Sequence, residues 1–137
     1  MTTVGEVTLD DATRRLVDGK NFATLATINP DGSPQASVVW VGLDGDAVVL
    51  SSTTGRKKTR NIARDPRVSL TLFAMDDPYF SVEIRGRAEL VPDPTKALPR
   101  ELSEKYVGGP PPAEPDDVAR VIVRVTAERV NTFGSPS

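Results

Sequence analysis

Apolar and polar positions along the chain fall into short alternating or continuous blocks that predict a mainly β protein with a few short helices. Residues 9–17 carry Leu9, Ala12, Leu16 and Val17 at helical spacing, with acids early, Arg14 and Arg15 later, and Gly19 as a stop, which predicts an N-terminal helix. Residues 22–28 are rich in strand formers, Asn29-Pro30-Asp31-Gly32 has turn chemistry, and the apolar run resumes over 35–41; this predicts a β-hairpin. Asp44-Gly45-Asp46 then turns the chain into a third strand over 47–51, and the three strands are expected to form an antiparallel meander.

Ile62 and Ala63 suit a short helix that stops near Asp65-Pro66, because a proline biases its predecessor away from helical geometry. Val68, Leu70 and Leu72 share one face of a fourth strand over 68–73. Asp76-Asp77-Pro78 turns the chain into a long strand over 80–91, with Gly86 at a bulge or close approach, and Pro92-Asp93-Pro94 ends it. Residues 95–106 have helical propensity despite Pro99, the proline-rich residues 108–115 form a stiff exposed connector, and 121–125 restart β structure. Six antiparallel strands with two or three short helices fit a small closed or partly closed β-barrel.

Composition narrows the chemistry more than the fold. A chain of 137 residues is most economically one domain, spanning 1–137. No apolar run approaches the about 18–20 residues needed to cross a bilayer, and Met1-Thr2-Thr3-Val4-Gly5-Glu6 lacks the regions of a signal peptide, so a cytoplasmic location is expected. Cysteine and histidine are both absent, which removes thiolate catalysis, Ser-His-Asp triads and most zinc, copper and haem sites; no metal site is expected. Carboxylate, Lys or Tyr acid–base chemistry remains, or chemistry done by a bound cofactor that the protein positions.

Charge is segregated in one place. Ser51-Ser52-Thr53-Thr54-Gly55-Arg56-Lys57-Lys58-Thr59-Arg60-Asn61-Ile62-Ala63-Arg64 contains five cations, and no carboxylate occurs between Asp46 and Asp65 although the net charge is −2. Cations at a helix N-terminus are disfavoured by about 0.3–1 kcal/mol each. Arg56, Lys57 and Lys58 at such an end make sense as a seat for an anion, held by backbone N–H groups, hydroxyls and cationic side chains. A solvated basic helix face is the competing reading. Nucleic-acid binding fits poorly, because one basic turn is not a basic face with stacking aromatics.

The hairpin, Asp44-Gly45, the next strand, the basic turn and helix, and Asp65-Pro66-Arg67-Val68-Ser69-Leu70 together resemble the pyridoxamine 5′-phosphate oxidase-like split β-barrel family. Ile84-Arg85-Gly86-Arg87-Ala88-Glu89-Leu90 is similar to a later strand of that family, so the resemblance covers most of residues 9–130. In flavin-binding members a Ser-Arg-Lys element ahead of such a helix holds the cofactor phosphate, which implies that role for Arg56, Lys57 and Lys58. Two departures stand out. Ser37 occupies the position early in strand two where flavin-dependent members carry a phosphate-binding arginine, and the histidine- and arginine-bearing C-terminal segment used by the vitamin-processing oxidases has no equivalent. The Ala23-Thr24-Leu25-Ala26-Thr27 strand, Gln35-Ala36-Ser37 and Arg56-Lys57-Lys58-Thr59-Arg60-Asn61 resemble the branch that uses the deazaflavin coenzyme F420.

The resemblance implies an F420H2-dependent reductase that passes a hydride to a small unsaturated organic acceptor, working as a homodimer with cofactor sites at the interface. An FMN-dependent oxidoreductase of the same fold and a non-catalytic flavin or deazaflavin carrier are the alternatives; vitamin B6 oxidation is disfavoured. It further implies cofactor contacts by Gln35, Ser37, Val38, Val39 and Trp40 along strand two, and by the hydroxyls of Ser51, Ser52 and Thr59 near the phosphate. Strand-end and capping roles compete for the hydroxyls, and core or dimer packing competes for Trp40. Tyr79, with Phe80, would close the site from a second subunit or serve simple packing. No residue is assigned as a covalent catalyst. Arg120, Arg124 and Arg129 either face the cofactor's tail or pair with Asp116, Asp117 and Glu128.

Overall fold

The computed structural model describes residues 6–136; Met1 to Gly5, which make up nearly all of the stretch read as lacking a signal peptide, lie outside them. In chain order the elements are α1 (Asp11–Asp18), β1 (Ala23–Ile28), β2 (Pro34–Val39), β3 (Gly42–Asp44), β4 (Ala47–Thr53), α2 (Lys57–Arg64), β5 (Arg67–Ala74), β6 (Asp77–Pro92), α3 (Ala97–Val107) and β7 (Arg120–Phe133). The seven strands form one antiparallel sheet in the order β2-β1-β5-β6-β7-β4-β3. Its outer strands, β2 and β3, are separated in the chain by Trp40 and Val41 alone. Three Cα steps span at most about 11 Å, so the two edges lie side by side and the sheet curls into a split β-barrel.

That closure overturns the expected three-strand meander. β1 and β2 pair as expected, with Leu25 opposite Ser37, but β4 pairs with β3 and with β7, Leu50 lying opposite Val123. The ladder stops at Val39 because the next residues are held by something other than a strand. Val41 is fully buried, its N–H donates to the Tyr106 hydroxyl at 3.1 Å and its carbonyl accepts from Lys105 Nζ at 2.6 Å. The chain therefore leaves one edge of the sheet and starts β3, a seventh strand at residues where the hydrophobic pattern predicts only the approach to the Asp44 turn. Gly45, at φ 60°, turns β3 into β4.

Side chains from six of the seven strands fill the barrel: Leu25, Val39, Leu50, Leu70, Ile84 and Val123 are buried in one cluster with Leu16 and Val17 of α1 and Ile62 of α2. β4 is apolar without alternation because it is covered on both faces. Val48 and Leu50 point into the barrel, whereas Val49 packs outside it against Leu98, Leu102 and Tyr106 of α3.

Gly86 marks the register shift between β6 and β7. A Cβ there would lie 1.9 Å from the Thr126 carbonyl oxygen, so only glycine fits. The last strand is longer than expected, continuing to Phe133 opposite Ser81; its second half is too polar to read as a strand without that partner. In α3, Pro99 sits in the first turn, where a missing N–H breaks no intrahelical bond. The buried Asp93 carboxylate accepts from the N–H groups of Ala97 and Leu98 at 3.1 and 3.0 Å. Among the described residues, no helix is long and apolar enough to cross a membrane.

Candidate functional site

β4 delivers the chain to the basic segment, and the start of α2 is left open to an anion. Arg56 occupies the N-cap position and offers no side-chain acceptor, and the first turn holds no acid, so its orphan N–H groups have no internal partner. The helix itself is firmly seated. Thr59 Oγ1 donates to the Thr53 carbonyl at 2.7 Å and lies 2.8 Å from Ser52 Oγ. Buried Asn61 donates to Thr27 Oγ1 and Asn29 Oδ1, both at 3.0 Å, and Thr27 donates to Gln35 Oε1 at 3.0 Å. Arg64 donates to the Ile28 carbonyl, and Ile62 is buried in the barrel cluster.

With that face committed, Lys58 turns toward β2, where its Nζ donates to Ser37 Oγ at 3.3 Å. Partial burial, and secondarily the nearby Arg56 charge, lower its pKa from the ordinary lysine value; an anion placed there would act in the opposite direction and favour the charged form. Among the described residues, neither Arg56 nor Lys58 has a carboxylate within ion-pair distance.

Arg56 and Lys58 line a cleft of about 330 Å³. One wall is Val38, Val39 and Trp40 at the end of β2, and its floor includes Ser51 and Ser52 of β4. Pro99 and Leu102 of α3 and Pro111 and Pro112 of the connector also line it. Arg120 completes the lining. Its guanidinium is held by both Glu114 oxygens at 2.8 and 3.1 Å, while Nη1 lies 3.5 Å from Ser51 Oγ. Glu114 also pairs with Lys96 at 3.0 Å, and the two cations, Arg120 above all, hold its pKa at about 2.

Eight of the residues singled out in the sequence thus meet in one place: Val38, Val39, Trp40, Ser51, Ser52, Arg56, Lys58 and Arg120. Ser37 stands behind, touching Lys58. Gln35 and Thr59 serve the seating of α2, Thr59 by tying the helix to the end of β4 through Ser52 and the Thr53 carbonyl. Lys57 is exposed and contributes, after the Ser33 hydrogen bonds, to lowering the pKa of Asp31. Tyr79 is 89% exposed and absent from the cleft wall, whereas Phe80 is buried in the barrel core. Arg120 pairs with Glu114 instead of Asp116 or Asp117; Arg124 pairs with Asp44 and Glu89, and Glu128 with Arg87.

The α3 and proline wall was not foreseen. Leu98, Leu102 and Tyr106 at four-residue spacing mark a helix face, but nothing local says which strand it covers. A second cavity, about 440 Å³, lies between α1 and the β5–β6 turn; Arg15, Asn21 and Met75 are among its lining residues, and it takes in none of the basic segment.

The molecule is therefore a split β-barrel with a cationic, partly aromatic cleft at the start of its second helix. The chain belongs to the pyridoxamine 5′-phosphate oxidase family, whose profile matches residues 9–134. Among solved structures it is similar to one described as an F420 reductase, 36% identical with a TM-score of 0.80 over 90% of this chain and 98% of that one. A conserved hypothetical protein of Mycobacterium tuberculosis is 27% identical, with a TM-score of 0.74 over 97% of this chain and 89% of the other. A pyridoxine/pyridoxamine 5′-phosphate oxidase of Azorhizobium caulinodans is 36% identical over 86 residues, 62% of this chain and 40% of that protein. The chain spans about two fifths of the length of such curated relatives.

Proposed function

We propose that this protein is an oxidoreductase that holds reduced coenzyme F420 in the cleft and directs a hydride to a small unsaturated organic acceptor. The observation that carries the reading is the convergence of Arg56 and Lys58, without carboxylate partners, beside Ser51, Ser52 and the Trp40 indole. Two cations, the Ser51 hydroxyl and the open helix start suit a phosphate, and the indole and Val38 suit a flat ring system. Similarity to the F420 reductase over nearly the whole of both chains supports the deazaflavin. So does Ser37: it leaves room for Lys58 to reach β2, where an arginine would bring a third cation against Arg56 and Lys58.

Hydride donation is the chemistry the reduced deazaflavin supplies when bound. The chain's part is to anchor the phosphate through Arg56 and Lys58, present β2 along the ring, and exclude water with the α3 and proline wall. In this reading two barrels pair, and the exposed Tyr79 of each reaches the cleft of its partner. The enzyme would work in the cytoplasm.

FMN in the same cleft is the second reading, favoured by membership of the oxidase family. Titrating the purified protein with F420 and with FMN separates the two. Lys58→Ala and Arg56→Ala are each expected to weaken F420 binding by about 1.5–3 kcal/mol, the scale of a hydrogen bond to a charged group, with unchanged circular dichroism. Tight FMN binding without F420 affinity overturns the deazaflavin reading; cofactor binding without turnover across a panel of unsaturated acceptors makes the protein a carrier.

A further inference from the structure

We infer that Tyr106 is a positioning residue: it sets the plane of Trp40, so that the indole forms a fixed flat wall for the planar ring of a phosphate-bearing ligand. The inference rests on the cleft being the ligand site proposed above. Trp40 lies in the two-residue joint between β2 and β3, outside both ladders, so no cross-strand partner orients it. Its indole instead stacks on the Tyr106 ring, with centroids 5.1 Å apart and planes 8° from parallel, within the range favoured for aromatic pairs.

Tyr106 is itself immobilised. It is 4% exposed, and its hydroxyl accepts from the Val41 N–H at 3.1 Å and donates to the Asn21 carbonyl at 2.5 Å. Phe22 packs on the ring at 5.4 Å. Neighbouring Lys105 ties the Val41 and Val17 carbonyls together, its Nζ 4.9 Å from the Tyr106 ring centre. The end of α3 thus holds both the backbone after Trp40 and one side of its indole. The rest of that side chain, 37% of the residue being exposed, borders the cleft with Arg56 and Lys58.

The chain has one tryptophan, which makes the inference testable with and without ligand. Tyr106→Met keeps buried apolar bulk but removes the plane. It is expected to weaken binding of F420, or of FMN if that is the ligand taken, roughly 3- to 10-fold, the worth of an aromatic contact. Tyr106→Phe, which keeps the ring, recovers most of the loss. In a Trp40→Leu background Tyr106→Met should cost nothing further, because both changes remove the same wall. Equal losses in both backgrounds, or no loss in either, overturn the inference.

If Tyr106→Met does not fold, Trp40→Phe and Trp40→Leu decide it: Phe should retain affinity and Leu lose it, and equal behaviour overturns the wall. If the native protein binds neither cofactor, the functional reading fails. The positioning of Trp40 is then judged in the ligand-free protein, where Tyr106→Met should collapse the indole signal in near-ultraviolet circular dichroism while far-ultraviolet dichroism persists. An unchanged indole signal overturns it.

Discussion

Charge and hydrogen-bonding capacity decide most at the scale of single residues. Arg56 and Lys58 are legible from sequence because five cations without an acid are an unusual local excess. That Lys58 faces the cleft and Lys57 faces Asp31 depends on the helical phase of α2, which Thr59, Asn61 and Ile62 set by being buried. Thr13 is wholly buried on α1, where its N–H donates to the Asp10 carboxylate at 2.8 Å and its side chain also helps lower the Asp10 pKa. Asp10 is the N-cap of that helix, and replacing such a cap with alanine costs about 0.5–2 kcal/mol. Asp10→Ala is therefore expected to lower stability by about 1 kcal/mol, read as a lower denaturant midpoint at unchanged slope; an unchanged midpoint would show that the cap contributes nothing.

Between helix α3 and strand β7, one carboxylate fastens an element that sequence reads only as a stiff connector. Glu114 joins Lys96 and Arg120, and it stands beside the prolines that wall the cleft. Its pKa is depressed from the ordinary 4.5 to about 2, chiefly by Arg120. A depressed carboxyl stabilises the fold fully above its unfolded value and loses that contribution as pH falls through its folded value. Native protein should therefore exceed Glu114→Gln in stability at neutral pH. The gap should close between about pH 4.5 and 2, as followed by thermal unfolding at a series of pH values; a gap independent of pH would deny the clamp. Pro110 to Pro115 announce stiffness in the sequence, but the partner of Glu114 is set by where β7 returns.

For the whole molecule, the proposed pairing of two barrels has a signature that no single chain can give. If Lys58 of one protomer and Tyr79 of the other serve the same site, Lys58→Ala and Tyr79→Ala proteins are each weak binders. Mixed one to one after subunit exchange, they should recover about a quarter of the sites, since half the dimers are mixed and each has one intact site. Sedimentation should show a dimer. Monomers, or no recovery on mixing, would place Tyr79 outside the site.

Local pattern was sufficient for α1, the first hairpin, α2, β5, the bulge at Gly86 and the basic segment, because each follows from neighbours a few residues apart: capping, turn chemistry, alternation and like charge. The same pattern missed β3, the partners of β4 and the end of β7. Pairing in a closed barrel joins residues as far apart as Leu50 and Val123, and the energy that selects such a pairing lies in burial on both faces of β4, not in β4 itself. Tertiary structure alone decided that β2 breaks at Trp40, that Tyr106 holds the break, and that Lys58 but not Lys57 joins Arg56. The sequence by itself determined that five cations gather around the start of a helix; only closure of the barrel set Arg56 and Lys58 in one cleft with the Trp40 indole, because that neighbourhood joins strands and a helix far apart in the chain.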